Sequence, residues 1–175
     1  MAALLFCTAL GHLRSAGQRA MAKDNHQQEV STLLSAKNGL GYLTPNDWTL
    51  VSDKAARMQF KAGEQFVYRG RRTHGIYLLV KGTASVQITG HAEAREIGPG
   101  DVCGEISFLD ELPATADVFA NDVVWAYYLD RPTLQSLFEL FPHLGSRFYR
   151  SLASILSRRL REAIDRPAPV KKDSA

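Results

Sequence analysis

A mainly β domain with flanking helices is the fold class that the sequence predicts, and three observations predict it. Short apolar runs separated by glycine-containing or polar turns fill residues 58–129. Patterns typical of helices precede and follow that stretch. The chain has 175 residues, 45% of them hydrophobic, which suits one globular domain with short extensions rather than two full domains. Strands this closely spaced favour an antiparallel barrel or sandwich.

The first helical segment is predicted over residues 26–56. Thr44 is a favoured cap residue, Pro45 would occupy the first helical position, and Asp47 follows the cap by three residues. These signals predict a helix from Pro45 to about Ala56. Its inward face would carry Trp48, Val51 and Ala55.

The central strands are predicted from apolar runs that are bounded by turn signals. Glycine-containing or polar turns lie at residues 61–64, around 70, and at 81–82, 90 and 121–122. The runs are Met58–Phe60, Phe66–Tyr68, Ile76–Val80, Ala84–Ile88, Arg95–Ile97, Thr115–Ala120 and Val123–Leu129.

The run from Gly98 to Ala116 is the most informative for function. A glycine-rich turn leads to Gly104, and Glu105–Leu109 can then start a short helix. The first amide groups of a helix have no intrahelical acceptor, and the helix dipole adds roughly half a positive charge there, so this end favours a phosphate. Glu105 is an acceptor suited to a ribose hydroxyl. A strand–turn–helix–strand connection that binds nothing fits the spacing equally well.

Two helices are predicted after the last strand. Residues 130–132 cap the first, which would run to Leu140 before a break at residues 141–142. The second would run from about His143 to Ile164. It carries an apolar stripe of Phe148, Leu152, Ile155, Leu156 and Leu160.

The net charge of +3 is unevenly distributed, because basic residues crowd residues 147–172. This crowding fits either a surface for nucleic acid or another anionic partner, or the solvated face of a helix followed by a tail. The apolar stripe between the charges favours the second interpretation. We expect a disordered basic tail over residues 165–175.

Residues 1–25 are expected to be a flexible leader or a targeting segment. Residues 1–23 begin with an apolar run and contain three basic residues but no acidic one, which resembles an organellar transit peptide more than a secretory signal. A start codon placed upstream of Met21 explains the segment equally well. Cys7 and Cys103 give no disulfide framework, and no stretch approaches the roughly 20 apolar residues that span a bilayer. We expect a cytoplasmic protein, or an organellar one if the leader is a transit peptide.

Several short motifs follow one another along residues 60–105. They are Phe60-x-x-Gly63-Glu64, then Gly70, then Ile76-Tyr77-Leu78-Leu79-Val80-Lys81-Gly82, and finally Ile97-x-Pro99-Gly100-Asp101-x-x-Gly104-Glu105. In this order they resemble the opening strands and the phosphate-binding cassette of the cyclic-nucleotide-binding domain family. The resemblance covers residues 58–163.

This resemblance implies a particular architecture. The family fold is an eight-stranded antiparallel jelly-roll β-barrel with N-terminal helices and a C-terminal helical pair. By this resemblance the domain would span residues 26–164, with the barrel at about 58–130 and the C-terminal helices at about 131–164.

The resemblance also implies a site for cyclic AMP or cyclic GMP. It assigns Glu105 to the ribose hydroxyl, and the backbone amides of Gly104, Ile106 and Ser107 to the phosphate. Thr115 falls where some members place a hydroxyl against guanine, which favours cyclic GMP if either nucleotide binds. The preferred alternative for Thr115 is an ordinary strand residue.

One residue departs from the family's pattern. Ala114 falls where the family has the arginine that binds the phosphate. A hydrogen bond to a charged group contributes about 1.5–3 kcal/mol, so its absence should weaken binding by roughly 10- to 150-fold. The family often has an acidic residue after the glycine found here as Gly70, whereas this chain has Arg71 and Arg72. Arg71 could supply the missing counter-charge, or it could be an exposed turn charge.

The expected function is regulatory rather than enzymatic, because no arrangement of nucleophile and base or of metal ligands stands out. We expect a stand-alone domain that senses or weakly binds a cyclic nucleotide or small anion and signals through its C-terminal helix. The alternative is a degenerate barrel that binds no ligand and acts as a dimerisation or protein-interaction module.

Two expectations concern partners. Too few residues follow Ile164 for the helix-turn-helix of the family's transcription regulators, so direct sequence-specific DNA binding is not expected. Family members commonly pair through the last helix, and the apolar stripe is longer than the barrel end alone would cover. We therefore expect a homodimer with Phe148, Leu152 and Ile155 at its interface.

Overall fold

The computed structural model describes residues 28–36, 39–89 and 94–165. The expected leader, residues 1–25, and the expected tail beyond Asp165 lie outside the described residues. Within the described ranges, no helix combines the length and the apolar character that crossing a membrane requires.

Eight strands lie within the described residues, and every pairing between them is antiparallel. They are β1 (Ala56–Phe60), β2 (Gln65–Val67), β3 (Gly75–Lys81), β4 (Ala84–Ile88), β5 (Arg95–Ile97), β6 (Val102–Cys103), β7 (Ala116–Ala120) and β8 (Val124–Asp130). They form two four-stranded sheets of orders β1-β8-β3-β6 and β2-β7-β4-β5. The predicted fold class, a mainly β jelly roll with flanking helices, is confirmed.

Helices lie before, within and after the strands. α1 covers residues 28–35. The others are α2 (Pro45–Lys54), α3 (Glu105–Asp110), α4 (Arg131–Leu140) and α5 (Pro142–Ile164).

The helical segment predicted over residues 26–56 is not one helix, since residues 39–44 are not helical. The backbone there passes close to the turn before β6, because a Cβ added to Gly39 would lie 2.9 Å from the carbonyl oxygen of Gly100. Leu40 and Leu43 of this segment are buried. Close backbone approach and the burial of two leucines therefore override the helical pattern. The two-residue strand β6 was also missed, because two residues carry no readable periodicity.

The apolar core has two parts, separated by the sheet that contains β3. Alternate residues of β3 face opposite sides, with Leu79 on one side and Leu78 on the other. The inner core lies within the jelly roll, where the rings of Phe60 and Phe66 stack at 4.4 Å between centroids. The remaining inner-core residues are Val67, Leu79, Ala84, Ile97, Cys103, Ala114, Val118, Ala120, Val124 and Ala126. The second part, the helix core, packs the other face of the sheet against the helices.

Phe148, Leu152 and Ile155 of the apolar stripe of α5 belong to the helix core, whereas Leu160 is 62% exposed. Phe148, Leu152 and Ile155 are 0%, 0% and 2% exposed, and the Phe148 ring contacts Phe108 and Phe138 with centroids 6.3 and 5.2 Å apart. The expectation that these three side chains form a dimer interface is therefore corrected, because the chain buries them itself.

A charged clamp joins the start of α2 to α5. The Asp47 carboxylate accepts from the backbone N–H and the hydroxyl of Thr44, both at 2.8 Å, which completes the predicted capping box. It also accepts from Nε and Nη2 of Arg147, each at 2.6 Å. Asp47 is 3% exposed, so the carboxylate of this bidentate contact is shielded from solvent, while the Arg147 side chain is 36% exposed.

Truncation of the aromatic anchor of α5 should strongly destabilise the fold. Phe148→Ala removes a fully buried ring and is expected to lower the free energy of unfolding by about 3–5 kcal/mol. Tyr149→Ala is the matched control, because Tyr149 is the next residue on the same helix and is 43% exposed. Urea unfolding of the two variants measures the difference. Equal losses would show that α5 is not held through its buried face.

The Asp47 clamp should make stability depend on acid. Hydrogen bonds from Arg147 are the largest cause that lowers the pKa of Asp47, to about 2 from its ordinary 3.8. The folded pKa lies below the unfolded one, so the carboxylate stabilises the fold above about pH 4, and this contribution is lost as the pH falls from about 4 to 2. A shift of this size corresponds to about 2 kcal/mol.

Urea unfolding at pH 6.5 and pH 2.5 tests this dependence. The stability difference between the wild type and Asp47→Asn should shrink at the lower pH, while Asp53→Asn, at an exposed carboxylate of the same helix, should show no such change. A difference for Asp47→Asn that stays constant between the two pH values would contradict the assignment.

Candidate ligand site

The segment Gly98–Ala114, here called the cassette, connects β5 to β7. Its strand β6 pairs with β3. Gly104 then takes a φ of 83°, a conformation that glycine adopts without strain, and its carbonyl oxygen accepts the first helical bond of α3 from the Phe108 N–H at 3.0 Å. Phe108 is buried against Phe148, so α3 is held between the sheets and α5.

The first turn of α3 presents backbone amides of the kind that the resemblance assigns to a phosphate. Ile106 and Ser107 occupy the second and third helical positions, where N–H groups have no acceptor within the helix. The Ser107 side chain is already engaged, because its Oγ donates to the carbonyl oxygen of Leu112 at 2.5 Å and accepts from the Thr73 N–H at 3.3 Å. Ser107 can therefore offer a ligand its backbone rather than its hydroxyl.

Glu105, the first residue of α3, is 3% exposed and is bonded to α5. Its Oε1 accepts a hydrogen bond from Nη1 of Arg159, and Nη2 of the same guanidinium donates to the Val102 carbonyl oxygen at 2.7 Å. Nε of Arg159 is buried and has no partner among the described residues. The carboxylate that the resemblance assigns to a ribose hydroxyl is thus held by the last helix. Sequence reasoning missed this contact, because nothing local relates residues 54 positions apart.

Ala114 lies in the inner core and is 8% exposed. Its backbone pairs with the turn after β2, since its carbonyl oxygen accepts from the Gly70 N–H at 2.9 Å and its N–H donates to the Arg71 carbonyl oxygen at 2.9 Å. Thr115, the next residue, is exposed just before β7. Position 114 therefore contributes a methyl group and backbone contacts, and no charge.

Arg71 is brought next to Ala114 through its backbone only. Its side chain is exposed, and its guanidinium lies 5.1 Å from the centroid of the Tyr68 ring. In this structure the Arg71 guanidinium therefore lies over the Tyr68 ring, outside the inner core.

Arg95 is a residue near the cassette that sequence reasoning did not single out. It is half-buried on β5, two residues before Ile97, which lies in the inner core. Glu96 between them is exposed and accepts from Nδ2 of Asn121 at 3.4 Å. Strand alternation therefore points Arg95 to the same side as Ile97. That alternation was the available signal, but three residues are too few for it to stand out.

Two further groups of the cassette are buried. Asp101 is 8% exposed, and its Oδ2 accepts from the Gly98 N–H at 2.9 Å, which closes the turn. Its Oδ1 is buried and has no partner among the described residues. Burial, followed by the charge of Glu105, raises the pKa of the Cys103 thiol. That thiol therefore stays protonated, as expected of a small core residue rather than a nucleophile.

Histidine, cysteine and acidic side chains form no group of three that could hold a metal ion in the described part of the chain. The site that the structure assembles is a buried carboxylate, a turn of free amides and nearby guanidinium groups. This arrangement suits the binding of a small polar molecule.

Comparison with known proteins relates the segment that contains this site to a family model. The family model described as "Cyclic nucleotide-binding domain" matches residues 57–140. The cyclic AMP receptor protein of Thermus thermophilus is 29% identical over 126 residues, which is 69% of this chain and 56% of that protein. Cyclic GMP-binding protein C of Dictyostelium discoideum is 27% identical over 128 residues, which is 71% of this chain and 5% of that protein. The chain therefore spans less than two thirds of the length of either relative.

A solved structure agrees with the sequence comparisons. The crystal structure of a cyclic nucleotide-binding domain from Methylobacillus flagellatus matches with a TM-score of 0.70 at 20% identity, over 85% of each chain. At this identity the likeness shows the shared fold. The matching sequence model, the shared fold and the cassette all concern the same part of the molecule. Residues 57–140 therefore match the sequence model of the cyclic nucleotide-binding domain family, and the chain shares the fold of a solved domain of that kind.

Proposed function

We propose that this domain is a regulatory module that binds a cyclic nucleotide weakly beside the cassette and passes the event to α5. The observation that carries the proposal is the buried pair of Glu105 and Arg159, because it joins the ribose-binding position to the last helix. Any ligand that takes Glu105 must change the contacts of Arg159.

A cyclic nucleotide is the ligand class that the site supports best. Relatives of this chain are named for cyclic AMP and for cyclic GMP, so both remain candidates here. The free amides of the first turn of α3 suit a phosphate, and Glu105 suits a ribose hydroxyl. Thr115 is exposed beside Ala114, where a hydroxyl could meet guanine, which supports cyclic GMP as the first nucleotide to test.

Two features support weak binding. Ala114 provides no cation for the phosphate, which should lose roughly 10- to 150-fold in affinity. The bond between Arg159 and Glu105 must also be given up before a ribose hydroxyl can reach the carboxylate.

The Arg159 guanidinium is not fully hydrogen-bonded, because its Nε is buried without a partner among the described residues. An unsatisfied buried donor costs about 1–3 kcal/mol, which makes the arrangement easier to open.

The signal would be a change in the far end of α5. The early part of this helix is fixed by Arg147 on Asp47 and by the buried Phe148. Beyond Ile155, the contact of Arg159 with Glu105 and Val102 ties the helix to the cassette. Opening that contact leaves the last turns with few buried side chains, since Leu160 and Ile164 are 62% and 71% exposed. A ligand that prefers the open arrangement would shift the population of this segment.

The second candidate function is an interaction module that binds no nucleotide. The exposure of Leu160 and Ile164 favours it, because these apolar side chains would gain from a covering surface. A homodimer or another protein could provide that surface. A direct measurement of nucleotide binding distinguishes the two functions, because only the first requires it.

The missing cation can be restored. Ala114→Arg should tighten cyclic AMP or cyclic GMP binding by roughly 10- to 150-fold relative to the wild type, as measured by isothermal titration calorimetry. Ala62→Arg is the control, because it adds the same charge at an exposed turn outside the cassette. Tight binding by the wild type would overturn the proposed weakness, and a folded Ala114→Arg protein that binds neither nucleotide would favour the interaction module.

The coupling through α5 can be measured by hydrogen exchange. Arg159→Ala leaves the buried Glu105 carboxylate unpaired, so the variant should lose about 3–5 kcal/mol of stability and exchange faster over residues 156–164. Arg161→Ala, at an exposed position two residues further on, should do neither. Saturating nucleotide, added to Ala114→Arg, should speed exchange in the same segment. Unchanged exchange on saturation would refute signalling through α5.

A further inference from the structure

Arg95 is directed toward the interior of the jelly roll. Strand β5 alternates, with Ile97 2% exposed in the inner core and Glu96 exposed on the outside, so Arg95 shares the inner side with Ile97. Its partner in the strand register is Val86, which packs against the inner core. A guanidinium is therefore held half-buried at the edge of an apolar interior.

Arg95 differs from the other arginines that are partly buried. Over residues 28–36, 39–89 and 94–165, it makes no hydrogen bond and no ion pair. The other partly buried arginines each reach a carboxylate, namely Arg131 on Glu111, Arg147 on Asp47, Arg158 on Glu162 and Arg159 on Glu105. A partly desolvated cation without an anion is unfavourable, so an anionic partner is the feature that this position lacks.

The charged groups that influence Arg95 belong to the cassette and to α5. Burial lowers the pKa of Arg95 first, and the positive charge of Arg159 lowers it further, while Glu162, Asp101 and Glu105 act in the opposite direction. Two of these carboxylates have other partners, since Glu105 holds Arg159 and Glu162 lies 3.8 Å from Arg158.

Asp101 is the remaining carboxylate in this group. Its Oδ2 is used by the turn, and its Oδ1 has no partner within the described residues although Arg95 is within electrostatic reach. Arg95 and one carboxylate oxygen of Asp101 are therefore both without a hydrogen-bond partner among the described residues. A ligand with an anionic group would give the Arg95 guanidinium the counter-charge that it lacks, and the phosphate of a cyclic nucleotide is such a group.

We propose that Arg95 binds the phosphate of the ligand and so compensates in part for the arginine that the cassette lacks at position 114. This inference rests on the proposed function, because it names the residue that recognises the anionic part of the nucleotide. A guanidinium offers a fork of N–H donors that matches two phosphate oxygens, and it does so best where solvent is partly excluded. The cation then comes from strand β5 rather than from the end of the cassette.

The test compares ligands with and without phosphate on two variants of one strand. Arg95→Gln removes the inward charge, and Glu96→Gln, its outward neighbour, is the matched control. Calorimetry measures binding of cyclic GMP, cyclic AMP, guanosine and adenosine. Arg95→Gln should weaken the cyclic nucleotides by roughly 10- to 150-fold and leave the nucleosides unchanged, whereas Glu96→Gln should leave all four unchanged. Without ligand, Arg95→Gln should unfold at the wild-type temperature or above it.

The outcomes separate this inference from the proposed function. Cyclic nucleotides that bind Arg95→Gln as well as the wild type would overturn the role of Arg95 and leave the proposed function standing. An equal loss for nucleosides would also overturn it, because the role would then be structural. If the wild type binds no cyclic nucleotide, the proposed function fails, and pyrophosphate decides the inference. An Arg95-dependent rise in melting temperature with pyrophosphate supports an anion site at Arg95, and no rise overturns it.

Discussion

The buried contact between Arg159 and Glu105 is the constraint that fixes the site and the last helix together. Glu105 starts the short helix of the cassette, and Arg159 reaches it from α5 while also holding the Val102 carbonyl oxygen. Both side chains are largely shielded from solvent, so neither can lose the other without leaving a charge in a poorly hydrated place. The clamp of Arg147 on Asp47 and the buried Phe148 fix the early part of α5. Under the proposed function, the position of the last turns of α5 would report the state of Glu105.

Local signals were enough to predict most of the elements. Thr44 and Asp47 form the capping box that their spacing predicted, and the Asp130 side chain caps α4 by accepting from the Thr133 N–H. Strands β4 and β5 have the predicted bounds, because a run of alternating or apolar residues between turns is itself the local rule for a strand. The break in the first helical segment has a different physical origin. The break before Pro45 arises where the backbone approaches Gly100, which is a contact between distant segments.

The residues of the site likewise divide into those that a local motif identifies and those that depend on contacts between distant segments. The motif located Glu105, the free amides and the uncharged Ala114, because these follow one another along the chain. Arg95 and Arg159 were not located, since their importance comes from strand alternation over three residues and from a contact across 54 positions. The stripe of α5 shows a related limit. Its periodicity predicted one apolar face. Phe108 and Phe138, which belong to other elements, contribute to the surface that covers this face. The pattern of a single helix does not tell how wide such a surface is.

The position of positive charge decides how ligand recognition and signalling relate in this domain. An arginine at position 114 would act from the last residue of the cassette, which is not part of the helix that must respond. Here position 114 is a small residue that lets the inner core close around it, and its backbone is tied to the turn after β2. The guanidinium groups near the cassette belong instead to β5 and α5, and they influence each other electrostatically. An anion bound at Arg95 would therefore change the field at Arg159 directly, and a hydroxyl on Glu105 would compete for its partner. Under the proposed function, recognition of the ligand and release of α5 are the same physical event.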